Sequence, residues 1–144
     1  MEELIIREAH PEDFEALAEL CTQLGYQTYS NDIPLRLSQI NNLSHHAVFI
    51  AELNHNVVGW IHVYICPLLV SSLQAQLGGL VVHSNMRGKG IGKELLQQAE
   101  AWSLSHDCQY LSIYTNVTRG ETHKFYKHLG YQTIKTEHLL RKEI

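Results

Sequence analysis

Arg87-Gly88-Lys89-Gly90-Ile91-Gly92 is the stretch on which the reading of this chain turns. It follows an apolar run, Leu77-Gly78-Gly79-Leu80-Val81-Val82, and precedes an amphipathic one that begins near Ile91. Strand, glycine-rich turn and helix in that order suit a phosphorylated ligand. Glycines at alternate positions let the backbone approach the ligand and turn several N–H groups inward. The N-terminal end of the following helix adds unpaired N–H groups and a positive dipole end. Arg87, Lys89 and Lys93 place cations around the same turn. The reading predicts a pyrophosphate site; a plain glycine-rich turn with solvated basic side chains is the alternative.

Two familiar phosphate motifs fail here. A P-loop requires glycine five residues before the Gly of Gly-Lys-Ser/Thr. That position is Arg87, and Gly92-Lys93 is followed by Glu94. A dinucleotide fingerprint requires a third glycine three residues after the second, where Lys93 stands. What remains, Arg-x-x-Gly-x-Gly after a strand, resembles the coenzyme A loop of the GCN5-related N-acetyltransferases.

Composition agrees with one soluble domain over residues 1–144. Hydrophobic residues make up 44% and charged residues 18%, a balance that permits a packed core and excludes a disordered chain. A net charge of −4 argues against a broad nucleic-acid surface. No apolar run approaches membrane-spanning length and Met1-Glu2-Glu3 does not begin a signal peptide, so the expectation is cytoplasmic. Cys21, Cys66 and Cys108 are far apart and odd in number, and the histidines are scattered apart from His45-His46. Neither a disulfide framework nor a metal site is expected.

The hydrophobic pattern alternates helices and strands. Leu4 to Glu8 reads as a strand. Pro11-Glu12-Asp13 opens a helix with Phe14, Leu17, Ala18, Cys21 and Leu24 on one face, ended by Gly25. A second helix spans Ile33 to Leu43. Ala47 to Leu53 and Val57 to Ile65 form a hairpin about Asn54-His55-Asn56. Ala75 to His83 is the central strand, and Ile91, Leu95, Ala99 and Trp102 mark a helix running to about Ser105. Tyr110 to Thr115 reads as a strand. Thr118-Arg119-Gly120-Glu121 fits a capping box for a helix carrying Phe125, Tyr126 and Leu129, and Tyr131 to Leu140 is strand-like.

That order, β-α-α-β-β-β-α-β-α-β, is also the order of the family just named. Two blocks carry the resemblance: Leu80-Val81-Val82 through Leu96, and Asn116 through Phe125-Tyr126 and Gly130-Tyr131. It implies an α/β fold with a central mixed, mostly antiparallel twisted sheet flanked by about four helices. It also implies an acetyl-CoA-dependent N-acetyltransferase acting on a primary amine of a small molecule. Acetylation of a protein N-terminus or lysine, and a non-catalytic acyl-CoA sensor, are the other readings. A homodimer paired through the C-terminal strand fits the family, with no nucleic-acid or membrane partner.

The resemblance also distributes roles. Arg87 to Lys93 would hold the pyrophosphate, and the backbone of Leu80, Val81 and Val82 would pair with the pantetheine arm and supply an oxyanion donor. Tyr126 would protonate the departing sulfur, with Phe125 pointing the opposite way into the core. Asn116 would bond the pantetheine or, equally, shape its own turn. Several members carry a Glu just before the Leu-x-Val segment; this chain has Gly78-Gly79. The proton acceptor is then sought among His83, His62, Glu52 or a water chain, with His83 the named candidate for its suitable intrinsic pKa. Tyr26 and Tyr29, between the first two helices, offer an aromatic wall for the amine, with Asp32 either a counter-charge or a helix cap.

Overall fold

Period-two alternation puts a hairpin at the centre of the sheet. β2 (His46–Leu53) and β3 (Asn56–Ile65) run antiparallel with Leu53 opposite Asn56. Asn54 and His55 both adopt positive φ, 50° and 69°, the conformation a two-residue hairpin loop demands. The structure, a computed structural model, describes residues 3–144. It comprises two units, Met1–Ile113 and Tyr114–Ile144.

In the first unit β1 (Leu4–Glu8) pairs antiparallel with β2, and β4 (Gln74–Val82) pairs antiparallel with β3. β5 (Tyr110–Ser112) runs parallel to β4, giving a five-stranded mixed sheet in the order β1-β2-β3-β4-β5. β5 is shorter than expected and touches β4 only at Gln74, Ala75 and Gln76. From Leu77 to Val82 the only strand beside β4 among the described residues is β3.

Side chains alternate across the sheet, and each face has its own helices. α1 (Phe14–Leu24) and α2 (Ile33–Asn41) cover the face that carries Ile50, Trp60 and Val81, burying Leu17, Ala18, Leu20, Ile33 and Leu37 against them. Gly25, at φ 115°, closes α1 in a left-handed turn whose N–H bonds Thr22 O, while the next N–H bonds Cys21 O. α3 (Ile91–Ser105) packs on the opposite face. There Leu95 lies over Gly59, and Ile61, Val63, Leu95 and Ala99 are wholly buried. Full burial of each large aliphatic side chain contributes about 2 kcal/mol.

At the β1–β2 edge the Arg7 guanidinium grips Asp13 with two bonds, 2.9 and 3.0 Å, and stands 3.6 Å from Glu52. Burial would raise the Asp13 pKa, but those bonds and the His10 N–H outweigh it and hold it down.

The second unit contains α4 (Gly120–His128), closed by Gly130 at φ 97°. Two expectations are corrected here. Thr118 does not cap the helix: its N–H and hydroxyl both donate to Asn116 Oδ1, and Arg119 precedes the first turn. Residues 131–140 form no strand. Their β-favouring Thr and Ile residues find no partner ladder, and strand propensity without one does not make a strand. Phe125 is half-buried and lies edge-on to Tyr126, ring centroids 5.2 Å apart, instead of pointing away from it.

Candidate functional site

The turn after β4 has the conformation that its glycines imply. His83 N–H bonds Val58 O at 2.7 Å, a short 3-10 turn spans Ser84–Met86, and Arg87 Nε returns to bond Val82 O at 3.3 Å. Gly88 and Gly90 stand at φ +79° and +81°. Nothing lies within 4 Å of where a Cβ would sit on either. The first turn of α3 is closed by Glu94 N–H to Gly90 O, 3.1 Å, leaving the preceding N–H groups at the helix end without intrahelical acceptors. Arg87, Lys89 and Lys93 are exposed around this opening. Open space over two left-handed glycines, a helix N-terminus and three cations fit a pyrophosphate.

Leu80, Val81 and Val82 lead into that turn along the part of β4 not followed by β5. No other strand among the described residues follows their backbone on that side, where an extended ligand would pair as another strand does. Val81 is buried and Leu80 and Val82 half-buried, so the side chains pack while the backbone serves the site.

Beneath α1 and α2 lies a cavity of about 130 Å³. Its wall is Leu17 and Cys21 of α1, Ile33, Arg36, Leu37 and Ile40 of α2, Val48 of β2, and Trp60 and His62 of β3. Trp60 is 9% exposed, and its indole Nε1 has no acceptor in hydrogen-bond geometry. The Cys21 thiol near it, pushed up in pKa by burial, is a weak partner at best. Among the described residues, Arg36 is the one charged side chain on the wall and no carboxylate lines it.

The glycine pair of β4 makes room for this wall. The register of β3 against β4 jumps from His62↔Gly79 to Val63↔Leu77, so Gly78 is an extra, bulged residue. A Cβ on Gly78 would overlap the His62 ring, and one on Gly79 would come within 2.6 Å of the Trp60 ring. His62 Nε2 shares a hydrogen bond of 2.9 Å with His46 Nδ1, and the His46 ring stacks on Tyr64 at 5.0 Å. Burial, then the neighbouring His46, lowers the His62 pKa to about 4.

The remaining sequence candidates are distributed differently. His83 Nδ1 accepts from Asn85 N–H at 3.1 Å, which keeps the proton on Nε2 and occupies the basic lone pair. Glu52 sits by Arg7 at the far edge of the sheet. Tyr26 and Tyr29 are 69% and 65% exposed and do not line the cavity. The buried residue of their loop is Thr28, whose N–H bonds Thr22 Oγ1 and whose hydroxyl bonds Tyr26 O. Asp32 accepts from Tyr29 N–H at 3.0 Å and so acts locally.

In the second unit Asn116 shapes its turn: its carbonyl accepts from Arg119 N–H and bonds His123 Nε2 at 3.0 Å. Tyr126 meets Tyr131 edge-on at 5.8 Å, and burial pushes its phenol up to about 12. Sequence reading missed Trp60, Arg36 and His46 as wall or partner residues. No spacing signals them, since they meet only through strand pairing and helix packing.

Comparison with known proteins bears on all of this. The Acetyltransferase (GNAT) family pattern matches residues 7–131. An aminoalkylphosphonate N-acetyltransferase of Salmonella typhimurium is 29% identical over 133 residues, 88% of this chain and 84% of that protein. An aminoglycoside N(6′)-acetyltransferase type 1 of Stenotrophomonas maltophilia is 27% identical over 132 residues, 88% and 85% of the two. Among solved structures, an aminoglycoside N-acetyltransferase in complex with coenzyme A superposes with a TM-score of 0.89 at 21% identity, covering 100% of this chain and 97% of that one. At that identity the likeness is one of fold.

Proposed function

The chain belongs to the GNAT acetyltransferase family, acyltransferases whose donor is acetyl-CoA, and on that premise we propose that it acetylates the primary amine of a compact, anionic small molecule. The observation that carries this reading is the cavity under α1 and α2. A volume of about 130 Å³ suits a short amine skeleton. Arg36 and the unpartnered Trp60 N–H both favour oxygen acceptors, such as a carboxylate or phosphonate. An aminoglycoside carries several ammonium groups, and among the described residues the wall has no carboxylate to meet them.

In this reading the turn from Arg87 to Gly92 and the end of α3 hold the pyrophosphate of the donor. The donor, when bound, supplies an activated acetyl thioester. An N–H of Leu80 or Val81 meets the carbonyl oxygen as negative charge develops, an interaction typically worth ~3 kcal/mol. The amine nitrogen attacks directly. Tyr126, a phenol that burial pushes up to about 12, holds its proton at neutral pH and would serve as the acid toward the departing sulfur.

The test is thiol release from acetyl-CoA with aminoalkylphosphonates, short amino acids, neutral alkylamines and aminoglycosides. Anionic amines should give the highest kcat/KM. Arg36→Met should raise their KM about tenfold and leave neutral amines unchanged, the loss of one charge-assisted bond. Highest turnover on aminoglycosides, or no effect of Arg36→Met on anionic amines, would overturn the anionic-substrate reading. The second reading, an aminoglycoside acceptor, draws on the name of the Stenotrophomonas relative.

A further inference from the structure

We propose that His62 takes the proton from the acceptor amine and that His46 relays it to solvent. The inference rests on the amine-acetylation reading above and assigns the one chemical role for which β4 offers no side chain. Ahead of Leu80 the strand has only Gly78 and Gly79. The His62 ring fills the space that a side chain at position 78 would take. The bulge at Gly78 creates that opening, so a β3 imidazole stands over β4 where β4 itself carries no functional group.

The geometry gives the two ring nitrogens of His62 separate tasks. Nε2 is bonded to His46 Nδ1 at 2.9 Å, while Nδ1 is turned toward Gly78. With the proton of neutral His62 on Nε2, its Nδ1 lone pair is the acceptor. As the amine nitrogen forms its bond to the acetyl carbon, the C–S bond breaks and its electron pair leaves with sulfur. The nitrogen's proton passes to His62 Nδ1, the Nε2 proton crosses to His46 Nδ1, and His46 releases its Nε2 proton to water. The sulfur receives its proton separately, so protons and electrons balance.

The surroundings favour passage over storage. His46 from β2 bonds the His62 ring and Tyr64 lies beside it along β3, while Cys21 from α1 and Arg36 from α2 share its cavity wall. None is a carboxylate that would hold an imidazolium. Burial keeps His62 neutral at pH 7, with its lone pair available. His46 is only half-buried and so reaches water. His62 touches the substrate and is catalytic in this scheme; His46 acts through it and is a positioning residue.

Three measurements test the proposal. His62→Gln should lower kcat about a hundredfold at pH 7, remove the acid limb of the kcat profile, and leave acetyl-CoA affinity by calorimetry within twofold. His46→Gln should cost less, about fivefold, and shift that limb. Nitrogen-15 NMR of the unliganded protein should show His62 protonated on Nε2 and bare at Nδ1 at pH 7. A His62→Gln enzyme with unchanged kcat and an unchanged pH profile would overturn the assignment, as would an NMR spectrum with the His62 proton on Nδ1. Should wild-type protein acetylate no amine, the reading of function falls instead, and the NMR tautomer still decides the pair.

Discussion

The glycine-rich turn and the cavity lie beside the same strand, yet they are made of different material. The turn works with backbone: two glycines at positive φ with empty space above them and a helix end behind. The cavity works with side chains, drawn from α1, α2, β2 and β3. Glycine serves opposite purposes at the two. In the turn it permits a conformation and leaves room for a ligand. On β4 it permits contact, because Gly78 and Gly79 are already covered by His62 and Trp60. A turn of this kind is built from consecutive backbone positions, whereas a cavity wall needs side chains brought from distant ones.

The largest expected effect breaks the donor half alone. Gly90→Glu puts a side chain and a negative charge where a pyrophosphate would lie, on a residue at φ +81°. Acetyl-CoA affinity by calorimetry should fall about a thousandfold, equivalent to about 4 kcal/mol, with the circular dichroism spectrum of the fold retained. Normal binding would refute the assignment of the turn.

Acid should damage the cavity half first. His62 has its ordinary pKa of 6.5 when unfolded and about 4 when folded, so the unfolded chain binds the extra proton between those values. Stability contributed by keeping His62 neutral is therefore fully present above pH 6.5 and lost as pH falls toward 4. The loss is about 3 kcal/mol, and the lowered pKa of His46 acts in the same direction. Asp13, with its depressed carboxyl pKa, releases its contribution only at lower pH. Melting temperatures between pH 7 and 4.5 should drop in wild type and drop less in His62→Gln. Equal slopes in the two would show that His62 is not buried neutral.

The smallest effects contrast the two kinds of glycine. Gly79→Ala should destabilise by about 2 kcal/mol, because its Cβ would come within 2.6 Å of the Trp60 ring. Gly88→Ala should cost about 1 kcal/mol from its φ of +79° alone, since the space is open. Denaturant titration separates them. Equal costs would erase the distinction between a covered and an uncovered glycine.

These differences explain what was legible in the residues. The glycine-rich turn could be read because its conformation is set by consecutive positions, and α1, α3 and the β2–β3 hairpin because their periodicity and end signals are local. Thr133 and Ile134 favour a C-terminal strand that does not form, because among the described residues it has no neighbour to pair with. The cap at Thr118 lost to Asn116, which competes for the same hydrogen bonds. Tyr26 and Tyr29 stand out in the sequence for their aromatic chemistry, but Thr28 is the anchored residue of that loop and both rings are largely exposed.

By itself, then, the sequence determined the family, the order of elements through α4 and the glycine-rich turn after β4, all of which follow from short-range spacing. Tertiary structure alone decided the cavity under α1 and α2. His46 and His62 are sixteen residues apart and meet through the hairpin register. Trp60 and Arg36 share a wall because α2 packs on β3's face of the sheet. The Gly78 bulge that admits His62 exists only once two strands pair, and no single stretch of chain encodes a register between two others.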